Sequence, residues 1–441
     1  MSLPKLIIKF LLIFVILFLC FFWFRGGFAS INLDTDLGRD LFELSNILLH
    51  KVVWLGPRLS AGIHASPIYY YILFPALLLS GNNPGSIIFL TLFFAAVALL
   101  IFGLLGIKKW GIFSILSVII IGLQSWWQTG ATHPGNGYTY VIWVFLSLTF
   151  MWFEFPLFIS ALFLGLAISY HPAAVFILPI LLYEWWRKKH KIFSFFLILL
   201  GLIIPWFPII LFEIITKGYL IRQWSSHPGF GLLQPKFNLL NLLFISIIWL
   251  VVGLIAKNRI KMWYWLSFPG LFFLIIMTSA PAHYLLGIIC LIWFIAMIAL
   301  LNRKHGQIVL IIIAIFFFIN NVVFAKPIKP AVRSIPKIEA VTKQLVNSGK
   351  INKNNKIAVV AMLSADNKVP QADDYRFFLR AQGYQAIDIN EYSQADRLVM
   401  FIEVPNFDWQ HWSTWEIEQF GNKKFISQLS KDKTKIIIFE R

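Results

Sequence analysis

Long apolar runs alternate with short polar joints from the start of the chain to about Lys326, where the alternation stops. A helix needs about 20 apolar residues to cross a hydrocarbon layer of ~30 Å. On that scale the runs predict spans at about 6–25, 86–106, 110–128, 138–155, 156–170, 172–186, 192–215, 239–256, 261–279, 284–301 and 307–325. The apolar stretch 67–80 has only about 14 residues, which suits an interfacial or re-entrant helix better than a span. Beyond Lys326 the pattern is that of a soluble α/β unit. Strands are predicted at 357–362, 398–404 and 435–439, with helices at 335–347 and 372–382.

The pattern thus predicts a polytopic α-helical membrane protein of about eleven transmembrane helices, residues 1–325, followed by a small soluble α/β domain, residues 326–441. Composition agrees. Hydrophobic residues make up 59%, charged residues 13%, and mean hydropathy is +0.75, against ~45–50% apolar and ~25% charged in ordinary soluble domains. The formal charge of +18 would suggest nucleic acid in a soluble protein. Here the cations cluster between apolar runs, which reads as topology signalling. Cys20 and Cys290 both lie within apolar runs and read as small buried hydrophobes. The first run lacks an A-x-A-like cleavage site and reads as an uncleaved anchor.

The cations also orient the chain. If 67–80 does not cross, Lys5, Lys9, Lys108, Lys109, the Arg187–Lys191 cluster, the Lys257–Lys261 cluster, Arg303 and Lys304 share one face. These are thirteen of the twenty Lys and Arg before residue 326. The positive-inside rule makes that face cytoplasmic, which puts the N-terminus inside and the C-terminal domain outside. Of the seven acids before residue 326, four then fall in the first outside loop, residues 29–85: Asp34, Asp36, Asp40 and Glu43. Glu213, His64, His171 and His283 also fall in outside loops or at outer span ends. Titratable groups therefore converge on the outer face.

Within this loop Leu33-Asp34-Thr35-Asp36-Leu37-Gly38-Arg39-Asp40 opens a short amphipathic helix with Leu41, Leu44, Ile47 and Leu48 on one face. Leu55-Gly56-Pro57 makes a turn, and Ser66-Pro67-Ile68-Tyr69-Tyr70-Tyr71 starts the short apolar helix ending at Ser80-Gly81. Fainter features follow in Tyr170-His171-Pro172, Leu211-Phe212-Glu213 with Lys217-Gly218-Tyr219, and His283-Tyr284-Leu285. In this order the features resemble the GT-C membrane glycosyltransferases, within them the protein O-mannosyltransferase and aminoarabinose-transferase-like group. The resemblance covers most of residues 1–325 and not the C-terminal domain.

The resemblance implies a sugar donor built on a polyprenyl phosphate, presented at the outer face, with Asp36 as general base on the acceptor and Asp40 as second catalytic candidate. A positioned carboxylate contributes ~10²–10⁴-fold to such a step. The leaving lipid phosphate needs cations, for which Arg39, Arg58, His64 and Arg222 are the outside candidates. Asp34, Glu43, His171, Glu213 and His283 are candidates to support them. Each has a plainer role open to it: a helix cap for Asp34, a solvated helix-face charge for Glu43, an interface anchor for the histidines, and a partner for Lys217 in the case of Glu213. The aminoarabinose transferases carry Lys where this chain has Ser66, so the phosphate site departs from the family pattern. No cofactor is expected, although Asp34-Thr35-Asp36 forms a D-x-D at which two carboxylates could share a divalent metal. A transporter or flippase of lipid-linked glycans is the alternative function. The absence of repeated halves and of charged span centres speaks against it.

Overall fold

A computed structural model describes residues 3–58, 64–188, 192–226, 258–267, 282–363 and 372–441. It divides into two units. One comprises residues 1–25, 54–72 and 88–327, the other residues 26–53, 73–87 and 328–441.

The first unit is helical. Five described helices have the length and composition to cross a membrane: Leu3–Trp23, Gly85–Trp110, Ile192–Ile215, His283–Leu301 and Lys304–Val323. Ile68–Leu79, Phe113–Gly122 and Leu157–Tyr170 are apolar but shorter. The chain is therefore a membrane protein, with five such helices among the described residues where about eleven spans are expected along the whole chain. Several apolar runs are broken into shorter pieces. Run 110–128 becomes Phe113–Gly122 and the start of Ser125–Thr132, while 172–186 becomes a 3-10 turn, Pro172–Ile177, and a ten-residue helix, Leu178–Arg187. Pro172 and Pro179 stand at the first turns of those two pieces, where a missing N–H costs nothing. The expected spans 239–256 and 261–279 lie wholly or mostly outside the described residues.

Small residues set the closest helix approaches. A Cβ on Gly165 would stand 2.6 Å from the Leu202 carbonyl oxygen, and one on Gly201 would stand 2.8 Å from that of Phe158. The backbones of Leu157–Tyr170 and Ile192–Ile203 thus touch, the packing that dispersion favours where lipid removes the hydrophobic drive between helices.

In the second unit a five-stranded sheet has the order β2-β1-β3-β5-β4, with β1 Lys356–Met362, β2 Gln385–Ala386, β3 Arg397–Ile402, β4 Lys424–Lys431 and β5 Thr434–Glu440. β1 pairs in parallel with β2 and β3, and β5 is antiparallel to β3 and β4. One face of β3 and β5, including Leu398, Met400 and Ile437, packs on Trp412, Ile417 and Phe420. On the other face Tyr375 stacks on Phe401 with ring centroids 3.8 Å apart. The Ile335–Asn347 and Asp373–Ala381 helices flank this sheet, and the Thr35–Leu48 helix packs against Asp373–Ala381. Both helices and the three strands expected after residue 326 are present within a residue or two; β2, β4 and Trp415–Phe420 were not expected.

Candidate active site

The Thr35–Leu48 helix begins where the sequence says it should. The Asp34 carboxylate accepts from Leu37 N at 2.9 Å, satisfying one of the N–H groups that a helix start leaves unpaired. Asp36 lies in the first turn, where the helix dipole favours negative charge. Leu37, Leu41 and Leu44 are buried, and so is Asp40 beside them, whereas Asp36 is exposed.

Arg39 joins two of the acids. Its Nη1 donates to Asp36 Oδ1 at 2.9 Å, while Nε and Nη2 both donate to Asp40 Oδ1, at 3.1 and 2.9 Å. The two carboxylates differ sharply in setting: the Asp36 side chain is 68% exposed and that of Asp40 0%. One guanidinium thus holds an open carboxylate and a sealed one. The same bond gives Asp36 its counter-charge. With Asp34 also engaged on Leu37 N, the D-x-D pair is a poor fit to a shared metal ion. Among the described residues no three His, Cys, Asp or Glu side chains gather as a metal site.

The next turn faces the C-terminal domain. Arg380 Nη1 donates to Ser45 Oγ at 2.9 Å and Asn46 Oδ1 at 2.7 Å, and its Nε donates to Ala386 O at 2.7 Å. The guanidiniums of Arg380 and Arg376 lie over the Phe42 ring, 4.1 and 4.8 Å from its centroid. Asn46 Nδ2 donates to Glu43 Oε2 at 3.1 Å. Burial raises the Glu43 carboxyl above its ordinary range, the bond from Asn46 pulls it back down, and the charges of Asp388, Asp373 and Asp40 add to the rise. Burial and the charge of Arg376 push Arg380 down to about 10. Arg333 binds the other end of this layer, donating to Asp374 and Glu403, while Leu33 N donates to its carbonyl oxygen at 2.6 Å. Sequence reading missed Arg333, Arg376 and Arg380. The signal available was the i, i+4 spacing of Arg376 and Arg380 in a short helix whose neighbours are mostly apolar.

The remaining candidates belong to the helical unit. Arg58 and His64 pair across a short antiparallel bridge, and His64 Nδ1 lies 2.9 Å from Gly56 O. His171 caps the 3-10 turn by accepting from Ala173 N at 3.3 Å; it stacks on Tyr140 and meets His283 edge-on, with ring centroids 5.0 and 5.5 Å apart. Tyr140 O–H donates to His283 O at 2.9 Å. The two histidines are therefore brought together. Glu213 takes Leu220 N at 2.8 Å and Ile221 N at 3.4 Å, capping the Tyr219–Ser226 helix instead of engaging the Lys217 side chain. Arg222 donates to the carbonyls of Thr216 and Lys217 in the same turn. Ser66, which replaces the family's Lys, is buried; its hydroxyl donates to Pro205 O at 2.7 Å and accepts from Ile68 N at 3.3 Å. That position ties helices together.

No protein-family model and no curated protein sequence matches the chain. Solved structures do match in fold, among them two crystal structures of ArnT from Cupriavidus metallidurans. The one bound to undecaprenyl phosphate has a TM-score of 0.58 at 10% identity, and the apo form has 0.59 at 11%. Each comparison covers 97% of this chain and 97% of the other. At such low identity the likeness speaks to architecture, and it spans both units. The chain has the fold of ArnT, the GT-C fold that the features of its first loop resemble.

Proposed function

We propose that the chain is a glycosyltransferase that moves a sugar from a polyprenyl-phosphate-linked donor to an acceptor at the outer face of the membrane, with Asp36 as general base. The observation that carries this reading is the open carboxylate of Asp36, fixed by Arg39 at the head of a capped helix in a chain with the ArnT fold. The relative solved with undecaprenyl phosphate supports the lipid-phosphate donor.

In the proposed step Asp36 takes the proton of the acceptor's hydroxyl or amine. The acceptor atom bonds to the anomeric carbon as the bond from that carbon to the phosphate oxygen breaks, and polyprenyl phosphate leaves as an anion. A stable anion needs a cation more than a proton donor. Arg39 is already neutralised by two carboxylates, so Arg58 is the better candidate: it is exposed and has no ion-pair partner among the described residues. Asp40 has the part of holding Arg39, and through it Asp36, in place. His64 and Arg222 are secondary phosphate candidates, and His171 and His283 would shape the polar end of the helical unit. No metal enters the step, because Arg39 supplies the counter-charge of Asp36.

Replacing Asp36 with Asn tests this in membranes supplied with labelled polyprenyl-phosphate sugars. Transfer is expected to fall ~10²–10⁴-fold with insertion unchanged. Undiminished transfer would remove Asp36 from the mechanism. Absence of transfer by the native chain, with the labelled lipid instead changing leaflet, would favour the flippase reading.

A further inference from the structure

At one end of the helical bundle cations outnumber acids around a cavity. Lys109 lies in the last turn of Gly85–Trp110, Arg187 in the last turn of Leu178–Arg187, and Arg259 and Lys261 on the Asn258–Leu266 helix. Trp110 Nε1 donates to Asn302 Oδ1 at 3.2 Å, placing the end of His283–Leu301 there too. Helix ends gathered in this way mark a membrane surface.

The carboxylate of Glu184 organises the cluster. It is fully buried and accepts from Arg187 Nε at 3.0 Å and Nη2 at 2.8 Å, from Arg259 Nε at 2.7 Å and Nη2 at 2.8 Å, and from Trp263 Nε1 at 2.7 Å. Arg259 also donates to the carbonyls of Met151 and Trp152, and its guanidinium lies 4.7 Å from the Trp152 ring centroid. Both arginines are therefore fixed before any ligand arrives, which lowers the entropic cost of binding one. Among the described residues no acceptor reaches Arg187 Nη1, and Lys261 has no ion-pair partner. Five cations, Lys109, Arg187, Lys188, Arg259 and Lys261, face two carboxylates, Glu154 and Glu184, leaving three positive charges uncompensated.

The cavity has a volume of about 540 Å³ and is lined by Tyr183, Arg187, Arg259, Lys261, Met262 and Trp265. The lining combines three cations with apolar side chains, of which Met262 and Trp265 are 40% and 54% exposed. A cluster that served only to orient the chain would need charge alone. A cavity lined both by locked guanidiniums and by open apolar side chains matches a phosphate joined to acyl chains.

We propose that this cavity is a headgroup site for an anionic phospholipid. The phosphate lies against Arg187, Arg259 and Lys261, and the first acyl carbons run along Met262 and Trp265. A soluble phosphoryl compound shares the phosphate chemistry but has no use for the apolar wall.

The test uses the purified full chain, delipidated in mild detergent and offered phosphatidylglycerol and phosphatidylcholine in equal amounts, with bound lipid read by native mass spectrometry. Phosphatidylglycerol is expected to be retained at least about fivefold over phosphatidylcholine, the scale set by one basic residue near a headgroup. Lys261→Glu, which breaks no hydrogen bond or ion pair among the described residues, is expected to abolish the preference. Arg187→Ala would do so too, but could unfold the Glu184 cluster, so Lys261→Glu decides. Equal retention of both lipids by the native chain, or an unchanged preference in Lys261→Glu, overturns the proposal. So does full displacement of phosphatidylglycerol by inorganic phosphate where chloride of equal ionic strength has no effect, since the cavity would then serve a soluble phosphoryl compound.

Discussion

Asp40 Oδ1 receives two hydrogen bonds from Arg39, from Nε at 3.1 Å and Nη2 at 2.9 Å, while the remaining nitrogen of the guanidinium reaches Asp36. Arg39→Ala takes the two Arg39 donors from a carboxylate that is fully buried and also releases Asp36. The expected cost is ~1–3 kcal/mol of stability, the scale for removing charged hydrogen bonds from a buried acceptor, reduced because Arg39 is itself a quarter exposed. Arg39→Lys supplies one point charge where a planar fork spans two acids, so it is expected to recover less than half of that loss. Thermal unfolding in detergent measures both, and equal stability of Arg39→Ala and the native chain would show the bridge to be idle.

Arg380 is expected to matter to the loop as much as to its own domain. Its three hydrogen bonds end on Ser45, Asn46 and Ala386, and its plane covers Phe42. Hydrogen bonds from a charged donor contribute ~1.5–3 kcal/mol each when measured singly, with strong overlap within one side chain. Arg380→Ala is therefore expected to lower stability by about 2 kcal/mol and to reduce sugar transfer through kcat. A fall in stability with kcat unchanged would confine the residue to folding.

The reason Arg380 escaped the sequence reading is distance along the chain. The first-loop helix was legible because its cap, its first-turn acid and its leucine spacing are all local signals; Asp34, Leu41 and Leu44 behave as that pattern requires, while Ile47 and Leu48 are only half-buried. The parallel core strands were legible for the same reason: β1 and β3 are nearly continuous apolar runs, as strands buried on both faces must be. β4 is polar and largely exposed along its length, so nothing in its composition separates it from a loop until β5 pairs with it. The contact of Phe42 with Arg376 and Arg380 joins residues more than 330 positions apart, and no periodicity reports on such a partner. One expected span, 172–186, is broken for a local reason instead: prolines at 172 and 179 restart the helix inside an apolar run that hydropathy alone reads as unbroken.

Glu43 gives a pH dependence of definite sign. Burial raises its carboxyl above the ordinary value, so between those two values the folded chain holds a proton that the unfolded chain has released. The contribution of this group to stability is fully present below the ordinary carboxylate range and is lost as the pH rises through the raised value. Glu43→Gln keeps the shape and removes the titration. It is expected to raise the Tm at neutral pH while leaving it nearly unchanged at about pH 3, where Glu43 is protonated in both states. A Tm gain of equal size at both pH values would mean that something other than the charge is responsible.

Metal removal separates the two readings of Asp34-Thr35-Asp36. With Asp34 capping Leu37 and Asp36 paired to Arg39, transfer is expected to be unchanged by EDTA and unaffected by added magnesium or manganese. Loss of transfer in EDTA, restored by one of those ions, would show that the pair opens to take a cation.

Gly38 is the fourth residue of the Thr35–Leu48 helix, where glycine costs up to ~1 kcal/mol relative to alanine, so something must require it. A Cβ at this position would stand 3.1 Å from Asp374 Cβ and 3.2 Å from Asp374 N. Asp374 opens the Asp373–Ala381 helix and is bound by Arg333, so it has little freedom to withdraw. In Gly38→Ala the gain in helix propensity and the cost of a contact a few tenths of an ångström too close oppose each other, and stability is expected to stay within ~1 kcal/mol of the native chain. Gly38→Leu has the same propensity gain but cannot fit, and overpacking of this kind costs ~1–3 kcal/mol. The helix would be forced away from Asp374, carrying Asp36, Arg39 and Asp40 with it. Transfer is therefore expected to fall in Gly38→Leu by more than the loss of folded protein explains, and Gly38→Leu with native Tm and native kcat would show that the close approach has no part in positioning the loop.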